Sequence, residues 1–292
     1  MGIRSRHRLN HTHKGAQAPT VNPATTILAA LAGLLAGGVI NWLADDLPHT
    51  YRLHAPHYPD GARRPRLAWL GVLAFALGRR ASPGGARLTW RHPLTEIATA
   101  ALFVATVAET GITAREVFVW GHVAILMLIT VIDLEHRMIL FAVIIPACVY
   151  ALAGAALLGP ALAPRVTFSD YLIGGAAGFA LFAVMYLGGM AFSAVMASAR
   201  GEPLEEVAFG YGDVLLAMLS GFMLGWQALI FAVTIAVFAG GAGALLYLGF
   251  RLAARGRYEM FTALPYGQYI VLGTLIMLLW RAPVVQFLQR MG

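Results

Sequence analysis

The residues that decide the fold, 138–159, read MILFAVIIPACVYALAGAALLG. This run contains no charged side chain, and a helix of about 20 such residues is long enough to cross the hydrocarbon core of a bilayer. Backbone N–H and C=O groups in a bilayer must be hydrogen-bonded within the protein, and a helix satisfies its own. The run therefore predicts a transmembrane helix.

Apolar runs of similar length recur along the chain and predict an all-α integral membrane protein with about eight transmembrane helices. The predicted spans are residues 24–44, 93–110, 115–132, 138–159, 169–198, 212–225, 226–250 and 263–280. Glycines cluster in two of them, and small residues of this kind let membrane helices pack closely. We expect helix contacts at Gly174, Gly175, Gly178, Gly188, Gly189, Gly240, Gly241 and Gly243.

The composition excludes a soluble globular enzyme and a nucleic-acid-binding protein of the usual kind. Of the 292 residues, 59% are hydrophobic and only 12% are charged, whereas ordinary soluble domains have roughly 25% charged residues. The net charge of +7 comes from arginines in short loops between apolar runs, as in membrane proteins. We therefore expect a lipid bilayer, and no nucleic acid, as a partner. The sequence leaves the oligomeric state open.

The polar segments divide the chain into a basic N-terminal tail (1–23), a first transmembrane helix with a loop domain (24–92), and a seven-helix core (93–292). Residues 45–92 carry eight arginines, and such loops favour the cytoplasmic side. The basic tail favours the opposite orientation, but we give the loop more weight and expect a multi-pass inner-membrane protein with this loop in the cytoplasm. The apolar run 67–77 is too short to span, so it lies at the interface or packs on the domain.

Two aspartates stand at predicted helix ends, Asp133 at the end of the third span and Asp213 at the start of the sixth. Because two spans separate them, both lie on the same side of the membrane, which is the cytoplasmic side in this orientation. Taken singly, Asp133 could be a solvated turn residue and Asp213 a helix cap. Two carboxylates brought close together share a proton, so one can activate a water while the other polarises a peptide carbonyl. This aspartic-peptidase chemistry needs no metal or cofactor.

The residues that precede Asp213 are candidates for substrate binding. Gly210 and Gly212 have no Cβ, so a substrate backbone can approach them closely. Glu205 and Glu206 stand just before the glycines. A solvated acidic loop is the simplest interpretation of these glutamates, and attraction of a basic peptide is the functional one.

Five motifs in order give about residues 30–275 a resemblance to a known family. Gly210-Tyr211-Gly212-Asp213 resembles the GxGD signature of the type IV prepilin peptidases, which are membrane aspartic peptidases. Residues 133–139, Asp-Leu-Glu-His-Arg-Met-Ile, resemble the first aspartate motif of that family. Residues 37–41, together with 47–48, resemble the motif at the end of the family's first span. Residues 90–96 resemble the start of its second span, and residues 264–267 resemble the start of its last.

The resemblance implies a membrane endopeptidase that cleaves the leader peptide of prepilins or pseudopilins at the cytoplasmic face, with Asp133 and Asp213 as its catalytic pair. Gly210 and Gly212, with the neighbouring glutamates, would then contact the substrate. Many members of the family also methylate the new N-terminus with S-adenosylmethionine, so we expect this cofactor only if methyl transfer is retained.

The alternative is an inactive homologue that serves as a membrane assembly or scaffold subunit. It is favoured by Ile139-Leu140-Phe141, where the family usually has Ile-Pro-Asp, and by Leu215, which replaces a usual lysine. Retention of both aspartates and both glycines opposes it.

A zinc site is not expected in the loop domain. The loop cysteines that bind zinc in many members of the family are missing, since the only cysteine is Cys148 within a predicted span. His54 and His57 keep the spacing of one cysteine pair, but two histidines alone make an incomplete site.

Overall fold

The structure is a computed structural model, and it describes residues 22–50, 52–108, 111–200, 210–255 and 266–291. Most of the predicted N-terminal tail lies outside these residues, as do Glu205 and Glu206. Within them the chain consists of helices joined by turns, and β pairing is limited to two isolated bridges in the loop domain.

The described helices, in chain order, are α1 (Pro23–Thr50), α2 (Gly71–Ala76), α3 (Arg91–Val107), α4 (Ala114–His136), α5 (Phe141–Leu158), α6 (Phe168–Arg200), α7 (Tyr211–Leu224), α8 (Trp226–Arg255) and α9 (Tyr266–Met291). Among the described residues, six helices are long and apolar enough to cross a membrane by length and composition, namely α1, α4, α5, α6, α8 and α9. The prediction of an all-α membrane protein is confirmed. The number of such helices is lower than the predicted eight.

The two remaining predicted spans are α3 and α7, which form at the expected places but are shorter. α3 has 17 residues and begins with Arg91 and His92, so part of its length is polar. α7 has 14 residues, most of them buried against α5, α6 and α9. Because protein encloses α7, its length does not have to match the thickness of a lipid layer.

Local sequence sets the bounds of α4 and α5. Thr113 caps the start of α4, where its hydroxyl accepts a hydrogen bond from the backbone N–H of Arg115. Arg137 ends the helix in a left-handed conformation with φ of 51°. The next three residues form a turn, so the run that predicted a helix from residue 138 becomes helical only from Phe141.

Glycines allow the closest helix contacts, as the sequence predicts, but not at every predicted position. A Cβ on Gly188 or Gly241 would meet nothing within 4 Å, so the prediction is wrong at these two glycines. A Cβ on Gly174 of α6 would lie 2.6 Å from the carbonyl oxygen of Gly221 on α7, and a Cβ on Gly221 would lie 2.1 Å from that of Gly174. Gly178 meets α7 in the same way, at Ala217. Gly240 and Gly243 of α8 pack against tyrosines of α9. α7 is thereby held against its neighbours, which fixes the position of its first turn.

Candidate active site

Asp133 lies in the last turn of α4, which ends at His136. Its backbone carbonyl accepts a hydrogen bond from the Arg137 N–H at 2.8 Å. The side chain is partly buried and accepts a 2.6 Å hydrogen bond from Nε2 of Gln268 on α9. Asp133 is therefore held by two helices rather than lying free in a turn.

Asp213 lies in the first turn of α7, directly after the glycine motif. Gly210 occupies the capping position, and its backbone N–H donates to Asp213 Oδ2 at 3.2 Å. A Cβ on Gly212 would lie 3.1 Å from side-chain atoms of Ile139. The glycine at this position thus lets the turn after α4 pack directly on the start of α7, which brings the two aspartate motifs together.

The two carboxylates meet at Gly267, the second residue of α9. A Cβ on this glycine would lie 3.1 Å from Asp213 Oδ1 and 3.3 Å from Asp133 Oδ2. Asp213 Oδ1 and Asp133 Oδ2 therefore lie at most 6.4 Å apart, which is the sum of the 3.1 Å and 3.3 Å distances. The parity argument from the sequence correctly predicts that both aspartates lie at the same end of the bundle, and the structure brings their carboxylates to one point.

Aromatic side chains border this point. The Tyr211 ring lies 5.8 Å from that of Tyr186 and 6.3 Å from that of Phe141, measured between centroids. Tyr211 and Phe141 are 44% and 55% exposed. An exposed group of aromatic rings therefore lies at the start of α7, the helix that carries Asp213. Phe141 belongs to it at a position where the similar family usually has an aspartate.

Ion pairs connect the loop domain to the end of α4. Arg91 of α3 pairs with Asp45 of α1 and, at 2.6 Å, with Glu135. Arg64 of the loop domain pairs with the same Asp45 at 2.8 Å. Glu135 is two residues beyond Asp133, so these contacts support the backbone that carries the first aspartate.

A cavity of about 710 Å³ lies beside these ion pairs. Its lining includes His54, His57, Asp46, Glu135 and His136. The Nδ1 atoms of His54 and His57 each lie 3.7 Å from the Asp46 carboxylate. Within the described ranges, however, no group of three histidine, cysteine or acidic side chains is arranged to hold a metal ion.

The structure brings together four residues that the sequence predicts for the site, namely Asp133, Asp213, Gly210 and Gly212. Their catalytic and binding roles stay predictions. Gln268 is missing from that prediction, although this residue directly follows the last of the five motifs. Nothing in a lone glutamine indicates a contact with a carboxylate 135 residues earlier in the chain. Glu205 and Glu206 lie outside the described residues.

The arrangement is suited to general acid–base chemistry. Of two carboxyl groups that border the same space, the ionised one can take a proton from a water while the protonated one donates a proton. The space beside Gly267 is open to both carboxylates because this residue has no side chain. A peptide carbonyl and a water at that point would be within reach of both acids.

Comparison with known proteins identifies the same part of the chain. A model described as the type IV leader peptidase family matches residues 120–245. This range contains both Asp133 and Asp213. No solved structure is significantly similar to the chain.

Three curated relatives share the name prepilin leader peptidase/N-methyltransferase. The Myxococcus xanthus protein is 29% identical over 77% of this chain and 64% of its own length. The Aeromonas hydrophila protein is 28% identical over 74% of this chain and 66% of its own length, and the Pseudomonas aeruginosa protein is 27% identical over 72% and 65%. The matches thus span slightly less than two thirds of each relative. They confirm the resemblance to the type IV leader peptidase family that the five motifs predict.

Proposed function

We propose that this chain is a membrane aspartic endopeptidase that cleaves the leader peptide of type IV prepilins or pseudopilins. The observation that carries the proposal is the approach of Asp133 Oδ2 and Asp213 Oδ1 to one point beside Gly267. The family match and the names of the relatives support the substrate class.

In the proposed reaction the ionised aspartate takes a proton from a water, and the protonated one donates its proton to the oxygen of the scissile peptide carbonyl. The water oxygen bonds to the carbonyl carbon and forms a tetrahedral intermediate. The aspartate that took the water proton then donates it to the leaving nitrogen, while the other aspartate takes a proton back from a hydroxyl of the intermediate. The C–N bond breaks, a carboxylic acid and an amine form, and the pair again holds one proton. Gly210 lets the substrate backbone lie close to the acids. The space beside Gly212 is taken by Ile139, so this glycine, which the sequence predicts to bind substrate, instead holds the two aspartate motifs together. Glu205 and Glu206 attract the basic leader.

The proposed orientation has both aspartates and the loop domain on the cytoplasmic side of the inner membrane. The eight arginines of residues 45–92 support this choice, and the Arg91–Glu135 ion pair connects that loop to the aspartate end of α4. We also propose that the end of this loop divides the chain into two parts. Residues 24–92 form the first transmembrane helix with the loop domain, and residues 93–292 form a seven-helix core. The apolar helix of the pilin would lie in the bilayer, with its leader beside the aspartates.

Methyl transfer is a separate part of the proposal, because the three relatives carry N-methyltransferase in their names. If this activity is retained, S-adenosylmethionine supplies the methyl group for the new N-terminus. The cavity of about 710 Å³ fits a cofactor of this class, since ligand sites commonly occupy about 300–1,000 Å³. Its acidic lining residues Glu135 and Asp46 are already engaged with Arg91 and with the His54 backbone N–H, so only the volume of the cavity supports this part of the proposal.

The decisive experiment replaces each aspartate by asparagine and measures cleavage of a co-expressed prepilin. Asparagine keeps the size of the side chain but cannot exchange the proton, and general acid–base groups contribute about 10²–10⁴-fold each. We expect Asp133→Asn and Asp213→Asn each to abolish detectable cleavage while the protein remains folded in the membrane.

The matched control is Asp170→Asn, because Asp170 lies beside Gly225 at the opposite end of α7. This variant should cleave normally. Full cleavage by Asp213→Asn would exclude the aspartic mechanism. Failure of the unaltered protein to cleave the pilins encoded with it would instead favour the inactive scaffold subunit.

A further inference from the structure

Residues 67–77 of the loop domain, the apolar segment, carry most of their large apolar side chains on the outside. Leu67, Trp69, Leu73 and Leu77 are between 41% and 52% exposed. The buried positions of the segment include the small residues Ala68 and Ala74, both 0% exposed. A loop in water would bury its leucines and expose its alanines, so this segment has the opposite pattern.

The apolar segment also lies beside the transmembrane helices, at a depth well within their length. Leu70 contacts α1 at Gly38, where a Cβ would lie 2.5 Å from Leu70 Cδ2. Gly38 lies six residues before the predicted end of the first span at residue 44, which is about 9 Å along a helix. The segment therefore turns back from the end of α1 towards the bilayer.

Glu96 makes this position compatible with an apolar medium. Its carboxylate, 0% exposed, accepts hydrogen bonds from the backbone N–H of Gly71 at 2.6 Å and of Val72 at 2.8 Å. The first N–H groups of a helix have no partner within it, and an N–H group without a partner is strongly unfavourable in lipid. Glu96 supplies acceptors to the start of α2 where water cannot.

Arginines stand at both ends of the apolar segment. Arg66 precedes it, and Arg79 and Arg80 follow it, and all three are exposed. Within the part of the chain that the structure describes, none of them pairs with an acidic side chain. Three cations without counter-charges therefore flank an exposed apolar surface.

We propose that the apolar segment is inserted into the leaflet on the aspartate side of the membrane, where Arg66, Arg79 and Arg80 bind the phosphate groups of anionic phospholipids. The acyl chains cover the exposed leucines and Trp69, and the negative headgroups complement the unpaired arginines. This contact does not depend on the proposed peptidase activity. It holds the loop domain against the bilayer, next to the ion pairs of Arg91.

The insertion is tested with the full-length chain in nanodiscs, labelled with a fluorophore at single cysteines in a Cys148→Ala background. Leu73→Cys reports on the segment, and Ala81→Cys is an exposed control in the same loop domain. Brominated phosphatidylcholine should quench the label at position 73 strongly and the label at position 81 weakly. Equal quenching at the two positions would overturn the proposal. That result is expected if another protein or a second copy of the chain, rather than lipid, covers position 73.

The headgroup contact is tested by comparing quenching by brominated phosphatidylglycerol and brominated phosphatidylcholine at equal mole fraction. Because a basic residue near an anionic surface contributes about fivefold in affinity, the triple variant Arg66→Gln/Arg79→Gln/Arg80→Gln should lose roughly 10²-fold in preference for the anionic lipid. An unchanged preference would overturn the proposal. A check without any label is the lipid quenching of native tryptophan fluorescence, which Trp69→Phe should decrease but not abolish, because the chain has six tryptophans. An unchanged quenched fraction would contradict the insertion of Trp69.

Discussion

At the scale of single residues, Gly267 keeps the space between the two aspartates open. A Cβ there would lie 3.1 Å and 3.3 Å from their carboxylate oxygens, so Gly267→Ala should displace one or both acids. These contacts require a shift of a few tenths of an ångström, whereas a misplacement of about 1 Å costs on the order of 10²-fold in rate. We therefore expect prepilin cleavage to fall by less than this factor, with little change in thermal stability, measured as initial rates and Tm in detergent.

The matched control for this change is Gly241→Ala on α8, since a Cβ at Gly241 meets nothing within 4 Å. It should cleave at the normal rate. Normal cleavage by Gly267→Ala as well would mean that the two carboxylates do not act together at this point.

Gln268 is a positioning residue for Asp133, whose Oδ2 accepts its 2.6 Å hydrogen bond. Gln268→Met keeps the length of the side chain and removes the donor. Hydrogen bonds to charged groups contribute about 1.5–3 kcal/mol, so cleavage should fall by roughly 10–10²-fold. The rate is compared with that of Gln286→Met, an exposed position farther along α9. Equal rates for the two variants would remove Gln268 from the site.

At the scale of helices, the contact between Gly174 and Gly221 determines how closely α6 and α7 approach. A Cβ on Gly221 would lie 2.1 Å from the carbonyl oxygen of Gly174, and backbone atoms cannot move aside as a side chain does. Overpacking of this kind costs about 1–3 kcal/mol. We expect Gly221→Ala to lower the Tm in detergent, and Gly188→Ala, which meets nothing within 4 Å, to leave it unchanged. Similar Tm values for both would contradict the close packing.

The same helices indicate how much of the architecture can be predicted from sequence. Charge-free runs such as residues 138–159 identify helices correctly, because their length and apolar character match the bilayer. Their ends are less predictable, since α5 begins three residues late after the left-handed turn at Arg137. The short α7 is also not recognisable as an enclosed helix from its composition. That property depends on which neighbours surround it.

At the scale of the whole molecule, the proposed orientation predicts which loops face the cytoplasm. In full-length chains with Cys148→Ala, a membrane-impermeant maleimide added to spheroplasts should label Ile112→Cys, in the turn between α3 and α4. It should label Ala81→Cys, in the loop domain, only after permeabilisation. Labelling in the reverse order would put both aspartates outside the cytoplasm and exclude the proposed site of cleavage.

The helical membrane class, and the two aspartates at one end of the bundle, follow from the order of residues alone. Charge-free runs and helix parity are local properties that add up along the chain. The meeting of Asp133 and Asp213 beside Gly267 and Gln268 depends on packing between helices that are distant in sequence. The proposed lipid-facing position of the apolar segment likewise depends on Glu96 of α3, whose carboxylate accepts hydrogen bonds from the backbone N–H groups of Gly71 and Val72. Such contacts exist only in three dimensions, because each joins residues whose spacing in the chain carries no information about their distance.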